Sequence, residues 1–598
     1  MSDRVAFIVN GNPVEVDARP GESLLSVLRE RLGIVSAKDG CAPQGQCGCC
    51  TVLVDGAPRV SCVTPVVRIA GRSVTTVEGL DAGTSAALAA AFVETGGSQC
   101  GFCTPGIVMR VAPLVEAACT QEGGLPRPAI DRALAAHLCR CTGWQSVVAA
   151  VERAVVLATN PSESGREPAS GKTRASNDAE RRAALEGGGP QRVSTEVPLG
   201  NGGFADDLAP RGALVAIPAP KVDGADTATL DAAGMRWIVA ESLVAARELA
   251  AKVQGRRTTA PALPPLALPP VPIGGVRLAT SWCEPAYLEP DASWCVPGDE
   301  PASVLANGGA FGAKLTSPAP QAARELADRL GRSVRVVFSR EDVVRLGPKR
   351  PPMAGTAVLD GTTLRVEGLV VGEVAAFETV FEVAGVDGRS SPYRLVEHSD
   401  WQAVAVPGPP VSPALRSVGL AERAVLREGA LSAAGVERRE LLVDDRAASV
   451  LLDTCVAVPG EAMAGARVHF DPTTGALVGV EVRVAAGDPL DETVLRSYCL
   501  GAAHMALGWV LTEHLAVEEG TGEVLDLTIR SFGVIRAKDT PPIEVTIIDD
   551  SGAPRPRSSD AVFAAVAAAA WNAVSAVEGT RPETFPASET RAARRLRR

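Results

Sequence analysis

Residues 40–56 read Gly40-Cys41-Ala42-Pro43-Gln44-Gly45-Gln46-Cys47-Gly48-Cys49-Cys50-Thr51-Val52-Leu53-Val54-Asp55-Gly56, and Cys62 stands twelve residues beyond Cys50. A second group lies in Ser98-Gln99-Cys100-Gly101-Phe102-Cys103-Thr104-Pro105-Gly106 and in His137-Leu138-Cys139-Arg140-Cys141-Thr142-Gly143-Trp144. Of 14 Cys, ten, including the isolated Cys119, precede residue 150. The other four, Cys283, Cys295, Cys455 and Cys499, are scattered and read as small buried hydrophobes. The chain start has neither a long apolar core nor a twin arginine, so a cytoplasmic setting is expected. In a reducing compartment clustered thiols are metal ligands more often than bridges. For several thiolates to converge on one inorganic centre, the loop must curl around it. Gly40, Gly45 and Gly48 supply that freedom.

Outward from this stretch the chain divides by pattern. Residues 4–17 alternate as two short strands about the turn Asn10-Gly11-Asn12. Residues 23–32 carry Leu24, Leu25, Val27, Leu28 and Leu32 at helical spacing, closed by Gly33. Residues 51–56 and 65–71 read as further strands. Four helical stretches follow between Ser85 and Ala158, which predicts a small bundle. Residues 159–192 are polar and rich in Gly, Ser and Pro, the composition of a linker. Spaced prolines at 260–275 predict an extended strap. Beyond residue 276 strands and helices mix, ending in an apolar helix over 561–574 and a basic tail. The predicted class is α+β and multidomain.

Length and charge bound the rest. The 598 residues allow three to five domains, and 46% apolar residues suffice for real cores. A net charge of -11 argues against nucleic acid as a partner. No apolar run reaches the roughly 18 residues of a membrane span, so no membrane partner is expected.

Three closely spaced cysteines and one distant one, in a strand-rich setting, resemble the plant-type ferredoxin arrangement that holds [2Fe–2S]. The resemblance assigns Cys41, Cys47, Cys50 and Cys62 as ligands and leaves Cys49 spare. Cys103 opens a helix with Pro105 in its first turn, where a thiolate is favoured. With Cys100, Cys139 and Cys141 it makes a second four-thiolate group. From spacing alone, a structural Zn2+ site remains the alternative for both groups.

Taken together, the three cysteine strings resemble the N-terminal iron–sulfur portion of the xanthine dehydrogenase/aldehyde oxidase family of molybdenum hydroxylases, nearly continuously over residues 4–155. That resemblance implies a β-grasp ferredoxin-like domain (1–82), a four-helix [2Fe–2S] domain (83–158), the linker 159–192, a shortened hammerhead-like segment (193–275) and a mixed α/β molybdopterin-binding-like region (276–598). Gly308, Gly309, Phe311 and Gly312, within Asn307–Lys314, resemble the family's GGxFGxK cofactor loop, and Glu284–Glu289 its preceding strand. Arg416, in Leu415–Gly419, resembles its Arg-Gly-x-Gly turn. Aligning the final apolar helix puts Asp560 at the position of the family's general base, a Glu; Asp560 is equally suited to cap that helix.

The implied cofactors are two [2Fe–2S] clusters and molybdopterin, with a cytosine dinucleotide form among its variants. The implied reaction is oxidative hydroxylation of an aldehyde or N-heterocycle. The implied partners are a small-molecule substrate, a separate flavin subunit or another electron acceptor, and a second copy of the chain in a homo-oligomer. No counterpart of the family's flavin domain is present. The molybdenum portion is compressed, and a Gln expected beside the metal is missing. These departures support the alternative of a non-catalytic iron–sulfur electron-transfer or accessory protein on a degenerate molybdopterin scaffold.

Overall fold

The computed structural model describes residues 3–597 other than 42, 121–123, 164–175, 190, 220–228, 252–254, 306–309, 375–376, 378–380, 385–393, 437–448 and 458–460. Gly308 and Gly309 therefore lie outside the described residues.

The N-terminal sheet runs in the order Asn12–Ala18, Asp3–Val9, Ser73–Thr75, Thr51–Val54, Ala57–Val60. Its first hairpin turns through Asn10 and Gly11, both at positive φ, as a two-residue turn requires. Ser23 caps the helical turn Leu24–Ser26, which continues as Val27–Arg31 and buries Leu24, Leu25, Val27 and Leu28 against this sheet. This is the predicted β-grasp. Residues 65–71 are not the expected strand: Val66–Ile69 is a tight helical turn. A short apolar run leaves helix and strand undecided, and here the Val66 N–H bonds the Glu22 carbonyl.

Four helices follow: Ala82–Glu94, Thr104–Cys119, Arg127–Leu134 and Gln145–Thr159. Asp81 caps the first through the Thr84 N–H. Their core is Phe92, Val108, Val111, Val115, Val147 and Val151, all fully buried. Cys139 and Cys141 lie on the loop after Arg127–Leu134.

The remainder holds three further sheets among the described residues, of five, six and four strands. The helices Leu420–Ala433 and Glu492–Leu511 both pack on Ser558–Glu578, which also lies on the strand Met463–Phe470. Glu492–Leu511 and Ser558–Glu578 are long and apolar enough to cross a membrane, which no run in the sequence was expected to be. Their apolar stretches are 94% and 67% buried within the protein, as in core helices.

Two sequence expectations shift here. Glu284–Glu289 is irregular apart from a bridge at Cys283, and the strand begins only at Ala292. Within the presumed linker, Ser176–Gly187 is a helix with Arg182 and Glu186 fully buried. Residues 255–275 carry no regular secondary structure, in keeping with the extended strap.

Candidate functional site

All five thiols of the first group are buried and free. The Cys41 thiol meets those of Cys47 and Cys62, and Cys62 meets Cys50. Backbone N–H groups point at the sulfurs, Gln44 at Cys41 (3.4 Å) and Cys62 at Cys50 (3.5 Å). Gly45 and Gly48 have positive φ. Gly40 does not; it is needed for closeness, because a Cβ there would sit 3.1 Å from Cys49 Sγ and 3.2 Å from Cys47 Sγ. Cys49, fully buried, touches Cys47 at the edge of the group.

In the second group Cys100 and Cys141 bring their sulfurs to 3.5 Å, and Cys103 meets Cys139. Cys103 stands at the N-cap of Thr104–Cys119. The Cys103 thiol donating to Cys139, helped by the Thr142 hydroxyl and opposed by burial, holds Cys139 down at about 6. Among the described residues, no three Cys, His, Asp or Glu side chains gather around one point as they would for a single ion. In the first group the thiols form a chain, Cys47–Cys41–Cys62–Cys50, and in the second they meet as two pairs.

The second group forms one wall of a cavity of about 580 Å³. Gln99, Cys100, Cys103, Arg140 and Cys141 line it together with Gly187, Gln191, Tyr287, Glu289, Phe311, Arg416 and Tyr498. Burial pushes the Glu289 carboxyl above its usual range, and Lys314 at 2.8 Å pulls the other way. A second cavity of about 350 Å³ shares Arg140, Phe311 and Arg416 and continues to Cys283, Trp509, Glu513 and Phe563.

Of three residues singled out from distant parts of the sequence, Phe311 and Arg416 line both cavities and Asp560, which lines neither, joins them through Arg416. Phe311 adopts φ 61°, ψ 29°, a left-handed conformation costly for an aromatic residue and typical of functional loops. Its carbonyl accepts from the Arg416 N–H at 2.8 Å, and the Arg416 guanidinium lies 4.8 Å from its ring centre. Gly312 presses on the Ala414 carbonyl so closely that a Cβ would collide with it. Arg416 Nε is 3.9 Å from Asp560 Oδ1, and Ser417 Oγ donates to the Asp560 carbonyl. Asp560 is not the helix cap. It lies in the first turn of Ser558–Glu578, and Arg557 Nε donates to its Oδ2 at 2.7 Å.

Sequence reasoning missed three participants. Gln99 donates to the Cys141 carbonyl and to Ser497 Oγ, both at 2.9 Å. Arg140 forks onto Glu513. Glu186 covers the buried N-terminus of Ser558–Glu578, accepting from the Ser558 and Ser559 N–H groups at 3.3 and 2.7 Å. Arg140 stood in plain view between two cysteines; Glu186 carried no signal beyond the polarity of its segment.

Comparison with known proteins bears on the first of these regions directly. A 2Fe-2S iron-sulfur cluster binding domain matches residues 7–68, and a [2Fe-2S] binding domain matches residues 76–152. The xanthine dehydrogenase iron-sulfur-binding subunit of Escherichia coli is 41% identical over 141 residues, covering 23% of this chain and 86% of that protein. The nicotine 6-hydroxylase small subunit of Paenarthrobacter nicotinovorans is 42% identical over 154 residues, covering 25% of this chain and 89% of that protein. The chain belongs to the molybdenum hydroxylase family. As a member it is an oxidoreductase of the xanthine dehydrogenase/aldehyde oxidase type, with two [2Fe–2S]-binding domains at its N-terminus. The hydroxylase fold extends over the whole chain. The aldehyde oxidoreductase of Desulfovibrio desulfuricans superimposes with a TM-score of 0.69 at 15% identity, over 98% of this chain and 99% of that one.

Proposed function

We propose that this molybdenum hydroxylase oxidises an aldehyde or N-heterocycle at a molybdopterin centre held in the 580 Å³ cavity and passes the electrons through two [2Fe–2S] clusters. The observation that carries this reading is that one cavity is lined both by Cys100, Cys103 and Cys141 and by Phe311 and Arg416. Its polar lining, Gln99, Arg140, Gln191 and Arg416 among it, suits an anionic, hydrogen-bonding heterocycle. Gln99, Arg140, Gln191 and Arg416 would hold molybdopterin, with the Phe311–Gly312 backbone against it. When bound, that cofactor supplies the two-electron oxidation of the substrate.

The chain's own contribution is position and proton transfer. Cys41, Cys47, Cys50 and Cys62 would bind the first cluster, and Cys100, Cys103, Cys139 and Cys141 the second. Asp560, only 13% exposed and oriented by Arg557, would accept the substrate-side proton. Residues 1–82 and 83–158 would carry the clusters, and 276–598 the cofactor. Electrons would leave to a separate flavin subunit or other carrier, in the cytoplasm, from a homo-oligomer. The names of the relatives, each one component of a larger enzyme, support a multi-chain assembly.

One observation favours a second reading, an iron–sulfur electron-transfer protein on an inactive scaffold. Glu186, paired with Arg182, occupies the amides beside Asp560, and Arg557 already engages the Asp560 carboxylate. Metal analysis of the purified protein decides between them. About four Fe and one Mo per chain are expected if two [2Fe–2S] clusters and the cofactor are present; four Fe without Mo would overturn the catalytic reading.

A further inference from the structure

Arg140 stands between two thiols of the second group, yet its side chain leaves the cysteine loop for the C-terminal part of the molecule. Its Nη1 and Nη2 reach Glu513 Oε1 and Oε2 at 2.5 and 2.6 Å, and Nε donates to the Pro285 carbonyl at 3.0 Å. The side chains are 5% and 2% exposed. The carboxylate is fixed from behind, since Gly508 lies against it with no room for a Cβ, and the Glu513 N–H bonds the Gly508 carbonyl at 2.7 Å. Other buried cations nearby have their own partners: Arg350 pairs with Glu422 at 2.7 Å and Lys349 with Glu284 at 2.9 Å. Burial works against the Arg140 charge; Glu513, with smaller contributions from Cys283 and Cys141, acts the other way, and together they more than offset it.

We propose that Glu513, acting through the Arg140 fork, sets the reduction potential of the second [2Fe–2S] cluster. This rests on assigning Cys100, Cys103, Cys139 and Cys141 to that cluster. Reduction places one electron on the cluster and requires no other partner. In a poorly screened interior the reduced state is stabilised by the guanidinium beside its ligands and opposed by the carboxylate behind it. An arginine stays charged when its partner is removed. Glu513 is a positioning residue here: it holds Arg140 and balances its charge without touching the ligands.

The test is an EPR-monitored redox titration of the purified full chain, with dithionite as reductant. The signal lost in Cys103→Ser identifies the second cluster. Glu513→Gln is expected to raise that cluster's potential by at least a tenfold change in the reduction equilibrium, 59 mV for one electron, with the first cluster unmoved and Glu513→Asp close to wild type. An unmoved second cluster, or an equal shift of both, overturns the inference and leaves the cluster assignment standing. Only one [2Fe–2S] signal in the wild type overturns the assignment itself. Should Glu513→Gln not retain the cluster, the double variant Arg140→Met/Glu513→Leu removes both charges and keeps the volume apolar. Its second-cluster potential is expected to fall, because the nearer charge is the positive one, and no change overturns the proposal.

Discussion

The cysteine loops and the Phe311–Arg416–Asp560 junction are built on different principles. In the loops, chemistry and geometry travel together in strings a few residues long: Gly45 and Gly48 bend the chain around the thiols they separate. The junction is assembled from three distant segments, held by a backbone hydrogen bond, a ring contact and a side chain to a carbonyl. A short string tolerates little change, because each residue is close to the sulfurs. A tertiary junction survives wide substitution provided the fold persists. The N-terminal region accordingly stays 41–42% identical to the iron–sulfur and small subunits of its relatives, while the whole chain shares a fold with an aldehyde oxidoreductase at 15% identity.

The largest test of this contrast removes a ligand from each string. Cys41→Ser and Cys103→Ser should each abolish one [2Fe–2S] EPR signal and about half the iron while sparing the other signal; loss of both from either variant would mean that the strings are not independent. At the junction, Asp560→Asn should lower kcat/KM by about 10²-fold or more at unchanged Fe and Mo content, the usual weight of a general base. Unaltered kinetics would move the base elsewhere, with Glu186 and Glu289 as the carboxylates to examine.

The seam between the two regions offers smaller effects. Gly501 lies on the Cys141 carbonyl and Gly143, at φ 61°, on the Leu500 carbonyl. A methyl group at Gly501 must push the second cysteine loop from the helix Glu492–Leu511. Gly501→Ala should therefore destabilise the protein by about 3 kcal/mol in urea denaturation, as overpacking does, and broaden the second cluster's signal more than the first's.

The smallest effect is acid-dependent. His504 is fully buried, and burial, with Arg140 adding to it, lowers its pKa to about 3. An unfolded histidine takes up a proton near pH 6.5, so falling pH favours the unfolded chain from there down to the folded value, and the stability returns as pH rises above 6.5. Between pH 7.5 and pH 5 this amounts to about 2 kcal/mol. His504→Gln should flatten that part of the stability–pH curve, and an unchanged slope would place its source in another group.

How much of this was legible depended on distance along the chain. The Asn10-Gly11 hairpin, the Ser23-capped turn and the four helices all follow from local spacing and capping. Phe311, Arg416 and Asp560 could be singled out only by resemblance, and nothing local to them says that they touch. Residues 65–71 misled because Val66 and Ile69 suit a strand or a helical turn equally well. Arg182 and Glu186 fell within a stretch read as a linker, because polar residues among Gly, Ser and Pro ordinarily form one. Their buried pair instead meets the unsatisfied amides that begin another helix.

That docking redraws where this polypeptide could be divided. Ser176–Gly187 follows the cluster-bearing quarter in sequence, yet its Glu186 completes the opening turn of a helix near the far terminus. A two-gene version of the enzyme would have to be cut ahead of Ser176, so that this helix is translated with the larger fragment. Cutting behind Gly187 would leave that fragment with bare amide groups beside Asp560 and strand a buried arginine on the smaller one.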